Sequence, residues 1–214
     1  MPFVLVAASL LAGGSDSSDD DAVITVGALV ASSIFLWIFL VGVPTVATTR
    51  KGNGLVRDLG LRFRPVDAGA FVVGAALQAV VVPALYWPIL ELWDRNSDDV
   101  SSEARRLIDG ASGAGIAVLV LVVCVGAPFA EELFYRGLAL RATEKRFGTG
   151  VAVVATTVLF GVAHFQGLQL PALLLFGAVA TVLTVRTGRL GPAMLCHAGF
   201  NAWSLFQLLV IDPS

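Results

Sequence analysis

Six side chains capable of acid–base or hydrogen-bonding chemistry stand in otherwise apolar stretches of the chain: Glu131, Glu132, Arg136, His164, His197 and Asn201. A charged residue at the centre of a transmembrane helix costs roughly 2.5–3.5 kcal/mol, so such residues usually face a bundle interior and have a function. A carboxylate and an imidazole at one level can hold and deprotonate a water molecule. A second histidine with an amide can donate hydrogen bonds to a developing oxyanion. Together these groups predict hydrolysis of an amide bond.

The spacing of the acidic motif predicts different tasks for its two carboxylates. Glu132 and Arg136 are four residues apart, so they share a helical face and can form an ion pair, which we interpret as structural support for the site. Glu131 is rotated by about 100° from Glu132 and remains free to act as a base. Tyr135 shares the face of Glu131, and we interpret it as a packing residue.

A metal site is the alternative use of the same donors. Glu131, His164 and His197 could bind Zn²⁺, which lowers the pKa of a bound water to about 7. At the level of sequence both alternatives, a metal-bound water and a carboxylate-activated water, stay open.

The composition predicts a polytopic membrane protein. Of the 214 residues 57% are hydrophobic and only 14% are charged, with a mean hydropathy of +0.84. A soluble domain of this size carries nearly twice that charge. No basic patch points to nucleic acid, and two cysteines in apolar stretches make no disulfide framework.

The apolar runs predict an all-α bundle of about six transmembrane segments. A bend or break is expected where Gly126 and Pro128 precede the acidic motif. The uncharged connection at 164–171 predicts that the chain near 150–185 forms a short or re-entrant hairpin. The predicted segments are 22–48, 66–92, 114–140, 151–165, 171–185 and 190–211.

Three regions follow from this pattern: an apolar and acidic N-terminal segment at 1–21, spans and loops at 22–113, and a catalytic core at 114–211. Basic residues concentrate in the loops at 50–64, 141–146 and 186–189. We expect an integral protein of a prokaryotic plasma membrane. Its basic loops are expected to be cytoplasmic, because Lys- and Arg-rich loops stay in the cytoplasm.

Counting along the helices predicts that Glu131 and His164 lie at one depth. Glu131 precedes Gly148 by 17 residues and His164 follows Gly150 by 14. At about 1.5 Å per residue both lie roughly 21–26 Å from the same turn. The two side chains are therefore expected to be able to face each other.

Three motifs on successive helices carry a family resemblance: Glu-Glu-x-x-x-Arg at 131–136, Phe-x-x-x-His at 160–164 and His-x-x-x-Asn at 197–201. They resemble the type II CAAX prenyl endopeptidases, the CPBP or Abi family of intramembrane proteases, over roughly residues 114–205. The resemblance implies that Glu131 and His164 activate water and that His197 and Asn201 stabilise the oxyanion. It implies a substrate that is a membrane-associated peptide or protein, lipidated or not. The family has been described both as metalloproteases and as metal-free glutamate enzymes, so zinc stays open.

Two other classes of protein compete with a protease. Buried Glu and His also line proton paths, so a transporter or proton relay is one alternative. A non-catalytic membrane scaffold is the other. The polar groups cluster in one half of the chain and no inverted repeat is visible, which disfavours the transporter.

Overall fold

The computed structural model describes residues 26–94, the four positions 101, 104, 105 and 108, and residues 113–211. Every regular element among them is helical, which confirms the all-α prediction. The segment 1–21 lies outside the described residues. The helices are α1 Val26–Lys51, α2 Leu55–Asp58, α3 Pro65–Trp93, α4 Gly113–Phe147, α5 Thr149–Val162, α6 Leu170–Thr187 and α7 Gly191–Ile211.

Five of these helices, α1, α3, α4, α6 and α7, are long and apolar enough to cross a membrane. The helix α5 has only 14 residues. It is therefore about 21 Å long, which is shorter than the roughly 30 Å hydrocarbon core of a bilayer. The described chain thus has five candidate spans and one shorter apolar helix, and the short one falls in the hairpin that the sequence marked as incomplete.

The polarity of the bundle is that of a membrane protein. Large apolar side chains such as Phe35, Trp87 and Val154 are exposed on the outside, whereas threonines such as Thr156 and Thr184 are buried. The buried hydroxyls of Thr156 and Thr184 donate to backbone carbonyls one turn earlier in their own helices. Such internal hydrogen bonds are what a polar group needs where water is absent.

The helix α4 carries the acidic motif and does not break at Pro128. It continues from Gly113 to Phe147 and widens into π-helical turns at Val122–Gly126 and Leu133–Ala139. Of the bend or break that the sequence predicts, the break is therefore wrong, because the π-helical turn at Val122–Gly126 lets the helix continue past the proline. At Gly126 a side chain would overlap the indole of Trp37 on α1.

The helices α3 and α7 pack at very close range through two glycines. A Cβ at Gly74 would overlap the carbonyl of Cys196, and a Cβ at Gly199 would overlap the carbonyl of Phe71. Small residues let helix backbones approach in this way. The packing holds α7, which bears His197, against the N-terminal half of the bundle.

A polar network joins the start of α3 to the loop between α6 and α7. The carboxylate of Asp67 accepts the Arg64 backbone N–H at 2.8 Å and pairs with the Arg189 guanidinium. The Leu190 backbone N–H donates to the carbonyl of Gly60 at 2.8 Å. Two basic loops predicted to share one side of the membrane are thus joined directly.

Candidate active site

A cavity of about 220 Å³ opens between α4, α5 and α7. Four of the predicted site residues line it, and most of the remaining lining is apolar. The lining residues include Leu119, Val123, Ala127, Glu131, Phe160, His164, Gln166, Gln169, Phe176, His197, Asn201, Leu205 and Leu208, with Ala104 and Ile108 from the segment before α4. The sequence motifs are therefore brought together at one cavity.

Glu131 and His164 face each other across this cavity, as the depth count predicted. Their Oε2 and Nε2 atoms are 3.9 Å apart, and the side chains are 9% and 11% exposed. His164 Nδ1 lies 2.7 Å from the Phe160 carbonyl, to which it must donate, so Nε2 is the free ring nitrogen. The buried Oε2 of Glu131 has no hydrogen-bond partner among the described residues. At this separation one water molecule can contact both atoms.

Glu132 is directed away from Glu131 and is held in an ion pair with Arg136, as the spacing predicted. Both side chains are fully buried, and the Arg136 Nη1 lies 2.8 Å from Glu132 Oε1. The guanidinium also donates to the Gly177 carbonyl at 3.1 Å and stands 4.3 Å from the centre of the Phe160 ring. These partners, drawn from α5 and α6, fix the guanidinium at the centre of the bundle.

The same oxygen of Glu132 holds the second histidine. His197 Nδ1 lies 2.9 Å from Glu132 Oε1 and must donate to it, because a carboxylate only accepts. The imidazole also packs on the Phe176 ring, with centroids 4.6 Å apart. With Nδ1 engaged, Nε2 is the His197 nitrogen that remains for the cavity.

Asn201 lies one turn after His197 and also lines the cavity. Its Nδ2 donates to the backbone carbonyl of Val123 at 2.7 Å. An amide nitrogen has two hydrogens, so one N–H of Asn201 remains for another acceptor.

The donors do not fit the zinc site that the sequence left open. Tetrahedral Zn²⁺ with bonds of about 2.0–2.1 Å requires donor atoms about 3.3–3.4 Å apart. His164 Nε2 and Glu131 Oε2 are 3.9 Å apart, which is wider than this spacing. In the described part of the chain no three His, Cys, Asp or Glu side chains could hold a metal ion.

Sequence reasoning missed several contributors to the site. The aromatic ring of Phe176 and the amides of Gln166 and Gln169 line the cavity but belong to no motif. The Val123 carbonyl was missed as well. Its signal is the proline five residues later, which removes a backbone donor from the helix.

Comparisons with known proteins concern the same part of the chain. Residues 113–203 match the family of Rce1-like type II CAAX prenyl endopeptidases, and this range includes all three motifs. Human CAAX prenyl protease 2 is 25% identical over 202 residues, which cover 84% of this chain and 58% of the human protein. The chain thus spans little more than half the length of that relative, and no solved structure matches it significantly. Over residues 113–203, this integral membrane protein is therefore similar to the Rce1-like family of type II CAAX prenyl endopeptidases.

Proposed function

We propose that this protein is an intramembrane endopeptidase that hydrolyses a peptide bond of a membrane-associated protein or peptide. The observation that carries the proposal is the 3.9 Å gap between Glu131 and His164 on the wall of a mostly apolar cavity. A buried carboxylate oxygen without a partner is costly, and an activated water gives it one.

In the proposed reaction a water molecule donates one hydrogen bond to Glu131 and is held by His164 Nε2. Glu131 takes the proton as the water oxygen bonds to the scissile carbonyl carbon, and the carbonyl π electrons move onto its oxygen. The C–N bond then breaks as the oxyanion reforms a carbonyl, and the leaving amine takes the proton from Glu131. Every proton and electron pair in this sequence is accounted for by water, substrate and one carboxylate.

His197 and Asn201 are assigned to the oxyanion. The free N–H of Asn201 and the Nε2 of His197 can approach one substrate oxygen, because the two side chains lie one helical turn apart on α7. For His197 to donate from both nitrogens it must carry two protons. Two carboxylates with one guanidinium leave one formal negative charge in the cluster, and this charge compensates the extra proton.

Glu132 and Arg136 are positioning residues in this proposal. Glu132 fixes the imidazole of His197 through Nδ1, and Arg136 fixes Glu132. Neither group needs to touch the substrate. Hydrogen bonds of this kind behind a histidine set its tautomer and orientation.

The lining of the cavity and the family resemblance both support a substrate class. Apolar side chains such as Leu119, Leu205 and Leu208 favour an apolar segment or lipid chain near the scissile bond. A peptide ending in a prenylated cysteine and three further residues is the probe that the family name indicates. We further propose that residues 114–211 supply the catalytic groups, that the spans within 22–113 support them, and that the basic loops face the cytoplasm of a prokaryotic cell.

A peptide-cleavage assay in detergent tests the proposal. The substrates are an internally quenched peptide with a farnesylated cysteine before its last three residues and the same peptide without lipid. Glu131→Gln is expected to lower kcat/KM by about 10²–10⁴-fold, which is the usual contribution of a general base. His164→Ala should act in the same direction. Glu91→Gln, an exposed change of the same kind at the end of α3, is the matched control and should cleave like wild type.

The outcomes separate the hypotheses. Equal cleavage by wild type, Glu131→Gln and His164→Ala would remove Glu131 and His164 from the reaction. Cleavage should survive a strong chelator, because the donors do not converge on a metal ion. Loss of cleavage with the chelator and its return with Zn²⁺ would instead restore the metal-bound water.

A further inference from the structure

The backbone carbonyl of Val123 has no donor within its own helix. In an α-helix its donor would be the N–H of Ala127, but that N–H bonds to Val122 in the π-helical turn. The next donor in π register would be residue 128. Residue 128 is proline and has no N–H.

The side chain of Asn201 donates a hydrogen bond to this carbonyl. Its Nδ2 lies 2.7 Å from the Val123 oxygen, and the contact joins residues 78 positions apart in sequence. A carbonyl without a donor in the membrane interior costs several kcal/mol, so the hydrogen bond is strongly favoured. Because one N–H of the Asn201 amide is engaged by Val123, only the other N–H can bind a substrate.

We propose that Pro128 is a positioning residue for the reaction, because it withholds the backbone N–H that would otherwise compete with Asn201 for the Val123 carbonyl. The inference rests on the proposed function, since it concerns the Asn201 amide as an oxyanion donor. The chain of effects runs from the proline to the free carbonyl, from the carbonyl to the amide, and from the amide to the substrate oxygen.

A bend in the helix is the competing role for this proline. That role does not require Asn201, because a proline kink arises wherever the ring meets the preceding turn. It also gives no reason for a side chain on α7 to reach this particular carbonyl. The two roles therefore make different predictions when a residue with an N–H replaces Pro128.

The test measures peptide cleavage by Pro128→Ala, Asn201→Ala and the double variant. Pro128→Ala supplies an N–H and is expected to lower kcat by about 10- to 100-fold with KM little changed, as for a misplaced catalytic group. Asn201→Ala should lower kcat by about 10²–10³-fold, the usual effect of losing one oxyanion donor. In the double variant Pro128→Ala should add no further loss, because the amide that it displaces is already gone. Pro88→Ala, an interior proline of α3 outside the cavity lining, is the matched control.

A backbone ester separates the N–H from the ring. Lactic acid introduced at position 128 has the methyl side chain of alanine but no N–H. It should return kcat close to the wild-type value. If the ester is as slow as Pro128→Ala, or if the losses in the double variant multiply, the ring and not the missing donor matters and the inference fails. If Pro128→Ala does not fold, the ester variant still decides, since recovery requires that the N–H alone be harmful.

Failure of the inference and failure of the proposed function are distinguishable. Full activity of Asn201→Ala would remove the oxyanion role of Asn201 and with it the premise. Loss in Asn201→Ala together with full activity in Pro128→Ala would leave the protease intact and remove only the role of Pro128.

Discussion

Substitutions in the Glu132–Arg136 ion pair are expected to affect stability and catalysis differently. Arg136→Met removes a fully buried guanidinium and leaves the Glu132 carboxylate buried with His197 as its remaining partner. The lost hydrogen bonds include those at 2.8 Å to Glu132 and 3.1 Å to Gly177, both made by a charged group, and a longer one at 3.4 Å to Thr181. At about 1.5–3 kcal/mol each the two shorter bonds account for the 3–5 kcal/mol expected when one partner of a buried pair is removed.

Adding Glu132→Gln to Arg136→Met is expected to restore stability but not activity. Glu132→Gln together with Arg136→Met leaves no unpaired charge, so the double variant should regain most of the free energy of unfolding. It should remain slow, with kcat lowered by about 10²–10⁴-fold, the upper figure being that of the carboxylate-to-amide change behind the histidine of a serine protease. The reason is that a neutral amide at position 132 does not favour a second proton on His197, so its Nε2 is left without a hydrogen to donate to the oxyanion.

Two measurements check this prediction. Reversible unfolding in mixed micelles with rising SDS content, followed by circular dichroism, gives the free energies for the cycle of single and double variants. Cleavage of the farnesylated peptide gives kcat. Wild-type stability in Arg136→Met would refute the uncompensated-charge argument. Wild-type cleavage by the double variant would show that His197 needs no carboxylate behind it.

Two further predictions concern the packing that holds the site. Asp67→Asn should lower the free energy of unfolding by about 1.5–3 kcal/mol through loss of the Arg189 pair, with kcat unchanged because that pair does not line the cavity; thermal unfolding and cleavage at one temperature check it, and a slower enzyme of wild-type stability would contradict it. Gly74→Ala should destabilise the bundle by about 1–3 kcal/mol and slow cleavage, because its Cβ overlaps the Cys196 carbonyl beside His197. Gly69→Ala on the same helix, where a Cβ meets no atom within 4 Å, should neither destabilise the bundle nor slow cleavage.

Much of the site follows from the sequence because helices have fixed rise and rotation. The four-residue spacing of Glu132 and Arg136 predicted their pair, and counting from the turn near Gly148 predicted that Glu131 meets His164. The small number of histidines also made the site easier to predict. With only two histidines, both in apolar stretches, few other arrangements of the polar groups were available.

What the sequence left open depends on side-chain direction and on contacts between helices. Spacing did not indicate that His197 donates from Nδ1 to Glu132 rather than to Glu131. Nor did it indicate that α4 stays continuous at Pro128, because proline alone does not distinguish a broken helix from a π-helical turn. The hydrogen bond of Asn201 to Val123 joins distant parts of the chain and depends on both features.

The close glycine contacts between α3 and α7 limit how short a fragment of this protein can be and still hold the site together. The family match begins at residue 113, yet the helix with His197 and Asn201 rests directly on the backbone around Phe71 and Gly74. An excised segment 113–203 would lose the surface against which its last helix is seated. A fragment that keeps the site intact must therefore be longer than the matched segment 113–203. Designs that transfer the three motifs to another protein should include α3 as well.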